Sequence, residues 1–241
     1  DYEPGMKTSE VQEIFNTIRP QQVELIDAIA KKPMPSDVSV TQFLPKEKQF
    51  EFGKKVVADL GYDFNRGRQD SVHHPFQTTI GAGDHRITVR TDENFFNTYF
   101  YSALHEGGHA MYEQGVSHDL ARTPLYGGTS LAIHESQSRL WENLVGRSKA
   151  FWDFYFPKLQ EIFPSEYNNV SVDEFYKAVN IVKPSLIRVE ADEATYNLHI
   201  MLRMEIEIAL LFTLFIIPYV IHTISFSLPL SASSYRFGLK S

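Results

Sequence analysis

The sequence predicts a mainly α-helical chain with one small β-hairpin, on three observations. Apolar residues recur at three- and four-residue spacing in most of the longer stretches, which is the period of an amphipathic helix. Two short strand-like runs, Phe76–Ile80 and Arg86–Arg90, flank the turn Gly81-Ala82-Gly83-Asp84. With 241 residues and 43% hydrophobic content, the chain can fill one sizeable core.

Taken in order, Val11 to Ala30 carries Phe15, Ile18, Val23, Leu25, Ile26 and Ile29 at helical spacing, and Pro20 is predicted to split or kink it. Lys31 to Pro45 is polar and proline-bearing, and reads as a connector. Gln49 to Leu60 reads as a helix ending at Gly61. Asp63 to Ser71 is polar and loop-like, and leads through His73-His74-Pro75-Phe76 into the hairpin. A further helix is marked by Phe96, Phe100 and Leu104, four apart. Gly127, Gly128 and Thr129 then punctuate the chain before another, marked by Leu131, Leu140, Trp141 and Leu144.

Ala150 to Phe163 is dense in aromatics (Phe151, Trp152, Phe154, Tyr155 and Phe156), which reads as core rather than a binding platform. Ser171-x-x-Glu174 before Phe175 is a capping box opening a helix towards Val182. Pro184 stands where a first helical residue belongs, and Leu186, Val189, Leu198 and Leu202 supply the apolar positions of a long helix beyond it. On such a helix Arg188 and Asp192 share a face, as do His199 and Arg203; by spacing alone these are surface ion pairs of small worth.

Composition narrows the function classes. A formal net charge of -7, with no basic run, argues against a nucleic-acid partner. The absence of cysteine excludes disulfides, thiolate ligands and a cysteine nucleophile, and is compatible with a cytoplasmic protein. The start, at Asp1, has no signal-like pattern. Ile208 to Tyr235 contains no Asp, Glu, Lys or Arg, and by length alone is a membrane-helix candidate. Pro218, Pro229 and the Ser-rich end weigh against a span, and Arg203, Arg236 and Lys240 give no orientation bias, so membrane attachment is not expected.

The chemistry centres on His105-Glu106-Gly107-Gly108-His109. Residues four apart on a helix lie one above the other, so His105 and His109 would aim two imidazoles at one zinc ion. Glu106, one residue on, is placed as a general base towards water at the metal and not as a ligand. The competing reading is a helix with two surface histidines. A zinc site needs a third protein ligand, for which Glu135, in His134-Glu135-Ser136-Gln137, and Glu142 both stand in reach of a helix–turn–helix. Two histidines and one glutamate with an open fourth position would make a catalytic site, because a structural site closes all four.

Five separated stretches together resemble the carboxypeptidase Taq family of thermostable metallocarboxypeptidases. They are His74-Pro75-Phe76, Asp84-x-Arg86-x-Thr88, His105-Glu106-x-x-His109, His134-Glu135-Ser136-Gln137 and Ile187-Arg188-x-x-Ala191-Asp192. The resemblance runs from about Phe52 to about Glu207 and more weakly towards the start, so a central fragment is expected. In that division residues 1–207 form part of a catalytic domain, and 208–241 an apolar tail that departs from the family, expected to be a truncated or mistranslated end.

What the resemblance implies is specific. The fold would be a helical zinc-peptidase fold with the hairpin beside a deep active-site cleft. One Zn2+ per chain (Co2+ as an alternative) would be held by His105, His109 and Glu135, with Glu106 as the catalytic base. Arg188 would clamp the substrate's terminal carboxylate, which its guanidinium fork matches bidentately, with Asp192 holding it in place. Arg86 and His74 would contact substrate, and Asp84 would orient its neighbours. The partners would be peptides with a free C-terminus and a second copy of the chain. The activity implied is removal of single C-terminal amino acids; an endopeptidase or dipeptidase on a related scaffold, and a catalytically impaired fragment, are the alternatives.

Overall fold

The computed structural model describes residues 4–188 and 191–227, with side chains to residue 213. The chain forms two compact units, Asp1–Thr195 and Tyr196–Ser241. The first unit contains helices α1 (Thr8–Ala30), α2 (Lys46–Leu60), α3 (Phe96–Gln114), α4 (Leu131–Arg139), α5 (Lys149–Ile162), α6 (Pro164–Tyr167) and α7 (Val172–Val179). Its sheet has three strands, β1 (Gln69–Ser71), β2 (Gln77–Gly81) and β3 (Asp84–Val89), in the order β1-β3-β2. The second unit's described part is one helix, α8 (Tyr196–Ser227). The fold is therefore mainly helical with a small sheet, as the periodicity predicts.

α3 is the pivot of the first unit, packing against α2, α4, β2 and β3. Phe96, Phe100 and Leu104 are all essentially inaccessible to solvent. Around them gathers an aromatic core: Phe96 meets Phe52, Trp152 and Phe175, and Trp152 meets Phe100 and Phe175 at ring-centroid distances of 5.2 and 4.6 Å. The aromatic run in α5 is core, with Phe151, Trp152, Tyr155 and Phe156 buried and Phe154 exposed. Each large side chain so buried contributes about 1.5–3 kcal/mol, which fixes α3 between α2 and α5.

The hairpin forms where the alternation places it, with Thr78 opposite Arg86 and a bulge between Thr79 and Gly81. The polar stretch before it is not all loop. Gln69–Ser71 pairs in parallel with Ile87–Val89 as β1, an element with no hydrophobic alternation to announce it. α1 runs unbroken through Pro20 as one helix, and it buries no residue in the described structure. The capping box at Ser171 forms on both sides, with Glu174 N–H to Ser171 Oγ at 3.2 Å and Ser171 N–H to Glu174 Oε2 at 2.8 Å; α7 ends at Val179, short of Val182.

The helix predicted from Pro184 is a correction. Residues 180–188 and 191–195 are irregular, and α8 begins at Tyr196. The cause is local: Asp192 accepts hydrogen bonds from the backbone N–H groups of Lys183, Ala194 and Thr195 and from the Thr195 hydroxyl. A short carboxylate binding its own following backbone competes with helix formation and instead precedes it. Val189 lies outside the described residues. So do 228–241, the end of the predicted apolar tail; among the described residues no helix is long and apolar enough to cross a membrane.

Candidate metal centre

The site is built on two helices held unusually close. The two residues between His105-Glu106 and His109 are Gly107 and Gly108, a poor choice for a helix interior by about 1 kcal/mol each. Contact explains them. A Cβ on Gly108 would stand 2.7 Å from Ser138 Cα and 2.8 Å from the Gln137 carbonyl of α4, and one on Gly107 would stand 2.9 Å from Val57 Cγ1 of α2. α4 can lie against α3 only because that surface is bare. Ser130 caps α4, accepting from the Ile133 N–H at 3.1 Å.

That approach brings Glu135 over the two histidines. Glu135 Oε2 lies 3.5 Å from His105 Nε2 and 3.3 Å from His109 Nε2, and one ligand atom from each residue falls within 4.8 Å of the others. Ligands about 2.0–2.1 Å from a tetrahedral ion stand about 3.3–3.4 Å apart, so this donor set fits a zinc-sized cation. Glu135 is itself held: its Oε1 accepts from Arg139 Nε at 3.1 Å and its Oε2 from the Ser138 hydroxyl at 3.1 Å.

Glu142 falls on the other side of His105. Its Oε2 is 2.7 Å from His105 Nδ1 and 3.1 Å from Arg139 Nη1, so it orients the imidazole where the triad needs a bare Nε2. The helix after Arg139 widens into a π turn, Leu140–Val145, shown by the bond from Gly146 N–H to the Trp141 carbonyl five residues back. Such turns are rare and re-aim side chains.

Burial, and then the charges of Glu135 and Glu142, push the Glu106 carboxyl up to about 7 against the pull of His105. Glu106 is 6% exposed. Burial also pushes Glu135 up, but His109, His105 and Arg139 outweigh it and hold that carboxyl down at about 2. For His105, burial works downward, and the hydrogen bond and charge of Glu142, with Glu106 and Glu135, leave it net raised. One carboxyl is thus kept protonatable near neutrality while its neighbours stay ionised.

The remaining predicted residues sit on other elements. Arg86 and Asp84, both on β3, form a bidentate pair at 2.6–3.0 Å, and this hydrogen bonding holds Asp84 below the usual carboxylate range. His74 is exposed on the loop between β1 and β2. Arg188 lies on the irregular stretch before α8, so it does not share a helix face with Asp192, whose carboxylate binds backbone.

Three residues of the site carried no assigned role in the sequence reading. His134 Nδ1 is 2.6 Å from His109 Nδ1, and its Nε2 is 2.8 Å from Glu113 Oε1. Glu113 also accepts from the Gly128 N–H at 3.0 Å. Arg139 bridges Glu135 and Glu142. Glu113 follows His109 by four residues and Arg139 follows Glu135 by four, so helical spacing marks both; His134 is marked only as a member of the stretch His134-Glu135-Ser136-Gln137.

A model of the carboxypeptidase Taq (M32) metallopeptidase family matches residues 1–214. The chain is 48% identical over 210 residues to thermostable carboxypeptidase 1 of Thermus thermophilus, covering 87% of this chain and 41% of that protein. It is 44% identical to carboxypeptidase 1 of Bacillus subtilis, covering 87% and 42%. The crystal structure of the M32 carboxypeptidase of Deinococcus radiodurans superposes with a TM-score of 0.83 at 48% identity, covering 86% of this chain and 41% of that one. The chain thus spans about two fifths of the length of these relatives. With a match of that extent resting on the same helices that gather the histidines and glutamates, the chain belongs to the carboxypeptidase Taq (M32) metallopeptidase family.

Proposed function

We propose that the chain is the metal-bearing part of a zinc-dependent carboxypeptidase that releases single C-terminal amino acids from peptides. The observation that carries this reading is the convergence of His105 Nε2, His109 Nε2 and Glu135 Oε2 beside the buried carboxyl of Glu106. Zinc, or cobalt as the alternative, would be held by those three atoms and would supply Lewis-acid chemistry at the scissile carbonyl.

The protein's own groups handle the protons. Glu106, buried beside the two histidines, takes a proton from the attacking water at its carboxylate oxygen and passes it to the leaving amine. Arg139 and Ser138 hold Glu135 in place, and Glu142 holds His105. Arg188 and Arg86 are the proposed partners of the free carboxylate, with His74 as a further substrate contact, Asp84 fixing Arg86, and Asp192 shaping the backbone near Arg188. A homodimer is proposed as the assembly, which light scattering on the purified chain tests.

Metal content is the first experiment. About one zinc per chain, lost in Glu135→Ala, supports the reading; a folded chain without metal overturns it. Cleavage of a peptide with a free C-terminus but not of its amidated form then separates an exopeptidase from an endopeptidase. A second reading, a metal site without turnover, is favoured by the 41% share of its relatives that the chain covers.

A further inference from the structure

We infer that Glu113 and His134 form a hydrogen-bond relay that sets the tautomer and ring orientation of His109, making both of them positioning residues. This inference rests on the metal site proposed above, but its geometry stands by itself.

The polarity of the relay follows from one backbone group. The Gly128 N–H can only donate, and it points at Glu113 Oε1 from 3.0 Å, so that oxygen is an acceptor. His134 Nε2 lies 2.8 Å from the same oxygen and must therefore carry a proton and donate it. A neutral imidazole protonated at Nε2 has a bare Nδ1. His134 Nδ1 is 2.6 Å from His109 Nδ1, so His109 is the donor there. The relay thus places the His109 proton on Nδ1 and leaves Nε2 bare for a metal; in the metal-free chain Glu135 Oε2, 3.3 Å from Nε2, is the competing acceptor that would draw the proton to the other nitrogen.

His105 reaches the same tautomer by a shorter route, donating from Nδ1 directly to Glu142 at 2.7 Å. The two histidines of one motif are therefore oriented by different carboxylates, one direct and one through a third histidine. The relay has a second effect. Its terminal oxygen also anchors the Gly127–Gly128 turn, which joins α3 to the segment leading into α4, so one carboxylate ties His109 to the path that delivers Glu135. The packing is tight: a Cβ on Gly128 would stand 2.7 Å from His134 Cδ2 and 3.0 Å from Glu113 Oε1.

Two readouts test this on the full chain. With the chain treated with chelator at pH 8, two-bond 1H–15N spectra of the imidazoles report the tautomer of His109 directly. The expected result is an Nδ1–H form in the wild type and in Glu113→Gln, whose amide oxygen can still accept, and loss of that preference in His134→Phe and Glu113→Leu. Zinc affinity, from competition with a chromophoric chelator, should fall about 10- to 100-fold in His134→Phe and recover within a few-fold in His134→Gln, which restores an acceptor. An Nε2–H form of His109 in the wild type, or a His134→Phe variant with the wild-type tautomer and affinity, overturns the relay. If His134→Phe does not fold, the Glu113→Leu and Glu113→Gln pair decides on the same readouts. A wild type that shows the Nδ1–H form yet binds no zinc upholds the relay and overturns the proposed function instead.

Discussion

Glu106 shows how a single buried side chain links stability to chemistry. Its carboxyl is pushed from an ordinary 4.5 to about 7, so the folded chain holds this proton more tightly than the unfolded one. Its contribution is most favourable below pH 4.5 and is lost as pH rises from there through 7, a change of about 3 kcal/mol. In the metal-free chain, Glu106→Gln should therefore gain about 3 kcal/mol at pH 8 and well under about 1 kcal/mol at pH 4.5, read as a urea midpoint; an equal gain at both values would refute the burial account. The same variant should keep its zinc and, where turnover is measurable, lose about 100-fold or more of it. Glu135 has the opposite sign: held down at about 2, it stabilises above pH 4.5 and loses that contribution as pH falls towards 2. Its side chain is 48% exposed, so solvent screens much of the effect. The proposed ligand Glu135 and the carboxylate that binds His105 Nδ1, Glu142, are also separable by mutation. Glu135→Ala should abolish stoichiometric zinc binding, whereas Glu142→Ala should bind one zinc about 10- to 100-fold more weakly, measured in the same titration.

Among the elements, α3 carries the site because it can be approached from two sides. Gly108 faces α4 backbone, which cannot move aside without separating the helices, while Gly107 faces the buried Val57 side chain, which can shift by a few tenths of an ångström without parting α3 from α4. Gly108→Ala should therefore lose about 1–2 kcal/mol net, despite the helix propensity of alanine, and weaken zinc binding. Gly107→Ala should be nearer neutral in a thermal melt. A reversed order would show that the α3–α4 contact is not what the second glycine serves. Elements announced by their own side chains were legible: the hairpin, α3 from Phe96, and α7 from its capping box. Those set by a neighbour or by a local bond were not. β1 exists by pairing with β3, and the predicted helix at Pro184 yields to the hydrogen bonds of Asp192.

For the whole molecule, the consequence of the site is linkage between metal and fold. An ion that binds only the folded chain stabilises it by about 2.7 kcal/mol at a hundredfold excess over Kd, about 5–10 °C in a chain of this size. Zinc should raise the melting temperature by that order in the wild type and leave Glu135→Ala unmoved. The same scale shows what each source of information decided. The sequence by itself determined the helical class, the hairpin, and the pair His105 and His109 with Glu106 between them, because helical periodicity is a local property and puts residues four apart on one face. Only the tertiary structure placed Glu135 at the Nε2 atoms of both histidines and Glu142 at Nδ1 of His105, and gave His134, Glu113 and Arg139 their contacts. Those relations depend on how closely α4 lies on α3 and on a π turn after Arg139, and no local pattern encodes the distance between two helices that meet across a turn.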